Sequence, residues 1–284
     1  MVMLPFDYER FIENVSLAVH RDDISEARID DAVRRILRAK FSLGLFESRE
    51  VPALEIVGAP LHRAIAREAV AKSLVLLKND DILPLSRALR NIRVAGSAAD
   101  NVGVQSGAWT IEWQGIDGNW MPGGTSILAG IRAEAGSTTV QYSLDGVFAE
   151  KDLADVGIAI IGEKPYAEGW GDAEPRMSEE DELAIERLRA VSRHVVVIIV
   201  SGRPLFIEEE VANWDALVAA WLPGGEGAGV ADVLFGKLPF SGTLPLPWPR
   251  TVEQLPMTDG FSADGTSLLF PRYFGIDTRE SRAW

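Results

Sequence analysis

The chain has 284 residues, is 47% apolar and carries a formal net charge of −14. That charge argues against a nucleic acid or an anionic membrane as partner, and no run reaches the roughly eighteen apolar residues that span a bilayer. Cysteine is absent and the three histidines (His20, His62, His194) are scattered, which excludes disulfides and thiolate chemistry and disfavours a histidine metal site or a Ser-His-Asp triad. The length allows one large domain, or one domain with an appendage.

Met1 to Phe6 is apolar but too short for a signal peptide and lacks a basic n-region, so no compartment follows from this chain. Val2-Met3-Leu4-Pro5 reads as the end of a buried strand. Residues 7–21 have helical spacing, with Phe11, Ile12, Val15, Leu17 and Val19 among charges. Ser25 is the expected N-cap of a second helix, whose apolar positions Ile29, Val33, Ile36, Leu37 and Phe41 lead to a stop at Gly44. Residues 48–58 read as a linker, and Pro60 opens a third helix running to about Ser73.

Beyond it, strand and helix alternate. Strands are expected at Leu74–Leu77, Ile92–Gly96, around Val140, and at Val156–Gly162, His194–Val200 and Ala216–Trp221. Helices are expected at Thr125–Ala135, Ser178–Ser192 and Glu226–Phe235. Ser178 caps the second of these, with Asp181 as the capping-box acid, and the acidic run from Ser178 to Glu186 reads as a solvated face. Continuous apolar strands between helices imply a sheet covered on both faces, with ligands at the carboxyl ends of its strands. After Gly242 the chain turns proline-rich and is expected to wrap the surface.

Two stretches carry the chemistry. Gly107-Ala108-Trp109-Thr110-Ile111-Glu112-Trp113-Gln114-Gly115 places two tryptophans four residues apart among glycines and polar groups. It suits a platform that stacks on a flat apolar face and hydrogen-bonds its edge, as a sugar ring requires. Gly162-Glu163-Lys164-Pro165-Tyr166-Ala167-Glu168-Gly169-Trp170-Gly171-Asp172 sets carboxylates among aromatics in a loop after an apolar strand. A carboxyl group beside apolar rings is how a general acid acquires a raised pKa. Both stretches follow strands, so both can face one crevice. The phrase Pro223-Gly224-Gly225-Glu226-Gly227 fits neither a dinucleotide fingerprint nor a P-loop. Glu226 there reads as a carboxylate on a helix dipole. No cofactor is implied.

These segments resemble glycoside hydrolase family 3, the exo-acting β-glucosidases and β-glucan glucohydrolases. RIDDAVRRILRAKFSLGLFE is similar to the end of that family's first domain, and HRAIAREAVAKSLVLLKNDDILPL to the opening of its second. GAWTIEWQG, GEKPYAEGWGD, SGRP, AAWLPGGEGAGVADVLFG and SGTLPLPWP are similar to second-domain motifs in family order. The resemblance implies an α/β fold. Its expected form is a three-layer α/β sandwich with a mostly parallel sheet over residues 59–284, preceded at 1–47 by helices left over from a (β/α)8 barrel and joined to them by the linker 48–58. In that family the barrel supplies the nucleophilic Asp, in a sequence like Ser-Asp-Trp, and a Lys-His pair. Neither occurs in this chain.

The resemblance implies Glu168 as the acid/base residue, since retaining glycosidases need two carboxyl groups roughly 5–5.5 Å apart. Glu163 is the competing acid, and otherwise has a structural or sugar-hydroxyl role. Trp113 is similar to the aromatic flanking the leaving-group subsite, with Trp109 as its support and Gln114 as a sugar hydrogen-bonder. Arg203 reads as a structural contact between domains, and Asp172 as ordering its loop. The implied partners are a β-glucoside or β-glucan oligosaccharide and the N-terminal barrel, in cis or as a separate chain. The implied compartment of complete members is periplasmic or extracellular. Isolated, the chain is expected to be inactive for want of the nucleophile. The alternative reading is a stand-alone sugar-binding or regulatory module.

Overall fold

A computed structural model of the chain describes residues 2–48, 54–149, 152–257 and 265–279. The chain divides into two compact units, Met1–Val57 and Gly58–Trp284. In the first unit, α1 (Tyr8–His20) and α2 (Glu26–Ser42) form as the apolar spacing predicts. Ser25 Oγ accepts the N–H of Arg28 at 3.3 Å and caps α2. Its far end is a Schellman turn: Gly44 takes φ 62°, its N–H donates to the Phe41 carbonyl and that of Leu45 to the Lys40 carbonyl. Neither helix contains a buried residue, and Phe11, Val33, Leu37 and Phe41 are all exposed. Val2–Pro5, expected as the end of a strand, is exposed and forms none. A strand needs a neighbour for its ladder, and among the described residues this unit holds no other. A short 3-10 turn, Leu54–Ile56, lies in the expected linker.

The second unit opens with α3 (Pro60–Ser73), with Pro60 in the first turn. There follow β1 (Val75–Asn79), β2 (Asn91–Ala95), α4 (Val102–Ser106), α5 (Ile127–Glu134), β3 (Thr139–Ser143) and β4 (Val156–Gly162). The series closes with α6 (Glu179–Ala190), β5 (Val195–Val200), β6 (Ala216–Ala219) and α7 (Gly227–Leu234). The six strands form one sheet in the order β1-β6-β5-β4-β2-β3. All neighbours are parallel except β1, which runs antiparallel to β6 at the edge with a bulge between Leu76 and Lys78.

Side chains alternate strictly across the sheet. Ile158 and Ile160 of β4, Val196 and Ile198 of β5 and Val218 of β6 enter one core, together with Ile127, Ile131 and Val230 from α5 and α7. Ala159, Ile161, Val197, Ile199 and Leu217 enter the other, with Ile185 and Leu188 of α6. Two covered faces are why the strands read as unbroken apolar runs. Each large side chain among them contributes about 1.5–3 kcal/mol when fully buried. The proline-rich segment after Gly242 does more than wrap the surface. It drives Leu244 and Trp248 into the second core, where the Trp248 indole N–H donates to the Leu205 carbonyl at 2.7 Å.

The order of the strands sets the position of the site. The chain leaves β2 for β3 on one side and returns to β4 on the other. The carboxyl ends of β2 and β4 therefore flank a topological switch point, where open α/β sheets present a crevice to ligands.

Candidate functional site

The chain leaving β2 is held by Asn101. Its Oδ1 accepts the N–H of Val104, capping α4, and also that of Gly118. After α4 it enters a tight loop in which Trp109 and Ile111 both adopt left-handed angles, φ 59° and 67°. For a β-branched isoleucine this is a genuine outlier. The Trp109 N–H donates to the Trp113 carbonyl at 3.1 Å and the Glu112 N–H to the Thr110 carbonyl at 2.9 Å. The loop closes on itself and turns both indoles outward: Trp109 is 72% and Trp113 52% exposed. Their ring centres lie 6.4 Å apart at 57°. Neither indole enters either core of this unit.

The chain leaving β4 forms the facing loop. Glu163 extends the sheet by one hydrogen bond, its N–H to the Val200 carbonyl. Its side chain, 11% exposed, receives Arg203 Nε at 3.0 Å and Nη2 at 2.9 Å on the same carboxylate oxygen. The Arg203 guanidinium lies over the Tyr166 ring at 5.0 Å and donates through Nη1 to the Gly171 carbonyl at 2.7 Å. Burial, followed by the Glu163 charge, raises the Tyr166 phenol above its ordinary value, so it stays a donor, reaching the second Glu163 oxygen at 3.4 Å. Arg203 was expected to cross between domains. The partners described here all belong to this one loop and the sheet beneath it.

Glu168 begins a 3-10 turn, Glu168–Asp172, and itself takes φ 54°. Its side chain is exposed. Among the described residues its carboxylate has no hydrogen bond or ion pair. Non-glycine residues at left-handed angles are kept only where their surroundings over-determine them, and they cluster at functional sites. Trp109, Ile111 and Glu168 are three such residues on two facing loops. The side chain of Asp172 lies outside the described residues.

Gln114 joins the loops. Its Oε1 accepts the Ala167 N–H at 2.8 Å, while its Nε2 is enclosed without a partner among the described residues. Next to it, a methyl group on Gly115 would stand 2.4 Å from Pro165 Cβ, so only glycine permits this approach. The structure thus brings Trp109, Trp113, Gln114, Glu163 and Glu168 into one pair of tethered loops. Glu226 does sit at the N-terminus of α7, and it also pairs with Arg63 at 2.8 Å.

One residue expected at the surface is buried. Ser178 Oγ caps α6 by accepting the Asp181 N–H, but the Asp181 carboxylate turns inward and is 2% exposed. It accepts the N–H and Oγ–H of Ser97 at 3.0 and 2.8 Å and the Gly162 N–H at 3.4 Å, joining the ends of β2 and β4. Burial raises its pKa against these hydrogen bonds. Its partners, distant in sequence, gave no local signal.

A sequence model of the Glycosyl hydrolase family 3 C-terminal domain matches residues 74–278. The chain is 32% identical, over 95% of its own length, to the lysosomal beta glucosidase of Dictyostelium discoideum, and spans 36% of that protein. It is 28% identical, over 82% of its length, to the periplasmic beta-glucosidase of Salmonella typhimurium, again spanning 36%. The solved exo-1,3/1,4-beta-glucanase of a Pseudoalteromonas species superposes with a TM-score of 0.87 at 37% identity, covering 98% of this chain and 37% of that one. The chain thus spans little more than a third of these proteins. Among the described residues no helix is long and apolar enough to cross a membrane. On the family match, the sheet order and the two site loops together, the chain belongs to glycosyl hydrolase family 3 and carries that family's C-terminal domain.

Proposed function

We propose that this chain is the C-terminal part of a retaining, exo-acting β-glucosidase or β-glucan glucohydrolase, and that Glu168 is its acid/base residue. In such a reaction one carboxylate attacks the anomeric carbon. The other protonates the leaving oxygen and later takes a proton from water. Glu168 supplies the second group. The first comes from an N-terminal barrel domain, covalently linked or separate. The observation that carries the reading is Glu168 itself: an exposed carboxylate with no partner among the described residues, at a left-handed angle, on a turn tied down on both sides by Gln114 and Arg203.

Trp113, backed by Trp109, forms the aromatic wall for the leaving-group sugar. The rings already face solvent, so stacking a sugar on them removes further apolar area from water. Gln114 and Glu163 serve the site one step back. The Gln114 oxygen is taken by Ala167 and its nitrogen is enclosed, and Glu163 is engaged by Arg203 and Tyr166. Direct contact of either with sugar is disfavoured on this geometry, and so is Glu163 as the acid. A barrel-derived character for residues 1–47, with a sandwich domain from residue 59, belongs to the same reading, as does a periplasmic or extracellular setting.

The test is reconstitution. This chain is combined with a family barrel domain, and hydrolysis of a β-glucoside is compared with that of the same assembly carrying Glu168→Gln. A fully active variant would refute the assignment.

A further inference from the structure

We propose that the crevice between α6 and the Glu163–Ala173 loop is a second ligand site, separate from the Glu168 and Trp113 surface, and that it takes a neutral hydroxylated ring: a free hexose or the terminal residue of an oligosaccharide. The crevice has a volume of about 710 Å3, within the range of small-molecule sites. It lies at the switch point between β2 and β4. Ser97 and Gly162 line it, and buried Asp181 joins them across its floor. Glu168, Trp109 and Trp113 are not among its lining residues.

Its wall fits a saccharide better than an ion. Trp170 lines it with its indole 78% exposed. Six of the lining charges form three ion pairs: Arg187 with Asp145 at 3.5 Å, Arg176 with Glu174 at 2.7 Å, and Arg203 with Glu163 at 2.9 Å; Lys164 and Glu180, one of each sign, line it as well, and Asp181 is the buried carboxylate of its floor. Charges of both signs thus line the crevice in nearly equal number, so its wall favours no one ion. A hydroxyl group can accept from a guanidinium and donate to a carboxylate while leaving the pair intact. An aromatic face beside alternating donors and acceptors complements a pyranose, whose C–H face is apolar and whose edge is hydroxylated. The proposal does not rest on Glu168 being an acid/base residue.

The test is an NMR titration of this chain with glucose in one series and cellotetraose in another, following the indole N–H signals, each assigned by its Trp→Ala variant. The Trp170 signal should move saturably with at least one of the two sugars. Glucose alone would identify a free hexose as ligand, and cellotetraose alone a chain end. Leu183→Trp, which fills the crevice from the exposed side of α6, should weaken the Trp170 response roughly tenfold and leave the Trp113 signal as it was. No movement of Trp170 with either sugar overturns the proposal, and so does a Trp170 response that Leu183→Trp leaves unchanged. Movement of Trp113 without Trp170 supports the Glu168 surface and overturns only the second site.

Discussion

Arg203 places two nitrogens, at 2.9 and 3.0 Å, on one oxygen of Glu163, and its third nitrogen on the carbonyl of Gly171. The pair spans the loop that carries Glu168 from its first residue almost to its last. It explains why a loop rich in glycine keeps one shape, and why a carboxylate so near the proposed acid is itself already paired.

Arg203→Ala should therefore cost about 2 kcal/mol in urea unfolding, the value of hydrogen bonds to a charged group that leave a partly buried carboxylate behind. Arg203→Lys should recover little of it, since a point charge cannot replace the fork. Amide exchange should accelerate across residues 164–172. A variant as stable as the parent, with unchanged exchange, would mean that the pair does not order the loop.

Gln114→Ala removes the tether to Ala167 and also the enclosed Nε2. The two effects oppose, so the stability loss should be small, roughly 1 kcal/mol or less. The local effect should be larger: the Ala167 amide, having lost its acceptor, should exchange faster while those of β4 do not. Unchanged exchange at Ala167 would count against Gln114 as the link between the loops.

The pH dependence of stability should carry the mark of Asp232. Burial pushes its carboxyl upward, but hydrogen bonds and charge from Arg67, helped by Lys237, prevail and leave the folded pKa below the ordinary value. A carboxylate depressed in the folded state contributes stability above its unfolded pKa of about 3.9, and that contribution is lost as pH falls through the folded value. Asp232→Asn should cost about 2 kcal/mol at neutral pH and flatten the loss of stability below about pH 4. Urea titrations at pH 7 and pH 3 measure both. An unchanged acid slope would show that the pair of α3 and α7 adds nothing to acid sensitivity.

Neither α1 nor α2 buries a side chain. Their apolar faces therefore lack the burial that stabilises helices in proteins. In the isolated chain, amides of residues 8–42 should exchange far faster than those of Val195–Val200, and protease should cut there first. Protection equal to that of β5 would contradict this.

Much of this was legible before the fold was known, and the failures have physical causes. β4 begins and ends where the apolar run does, because both faces of the sheet are covered and charge or glycine punctuates its ends. Gly44 stops α2 because only a residue at ease with positive φ completes that turn. The reversed direction of β1 was not legible, since an apolar run carries no arrow. α4, five residues long, is too short for periodicity to declare. Asp181 sits in an acidic run, yet its carboxylate points inward to Ser97 and Gly162, so only the tertiary structure shows it buried. The residues proposed for the site stand in motifs legible in the sequence. What the motif could not say is that Glu163 and Gln114 turn toward the protein, while Trp109, Trp113 and Glu168 turn toward solvent.

The most direct test of the proposed role of Glu168 uses leaving groups in the assembly of this chain with a family barrel domain. An aryl group of low pKa departs without protonation, whereas an alkyl or sugar alcohol does not. Glu168→Ala should therefore lower kcat/KM for poor leaving groups by roughly 10²–10⁴, the typical worth of general acid–base catalysis, and far less for activated aryl β-glucosides. Azide, which needs no general base, should partly restore turnover of the activated substrate and yield the glucosyl azide. Equal loss on every substrate with no rescue by azide, in a protein that unfolds as the parent does, would contradict the assignment of Glu168 and reopen the case for Glu163.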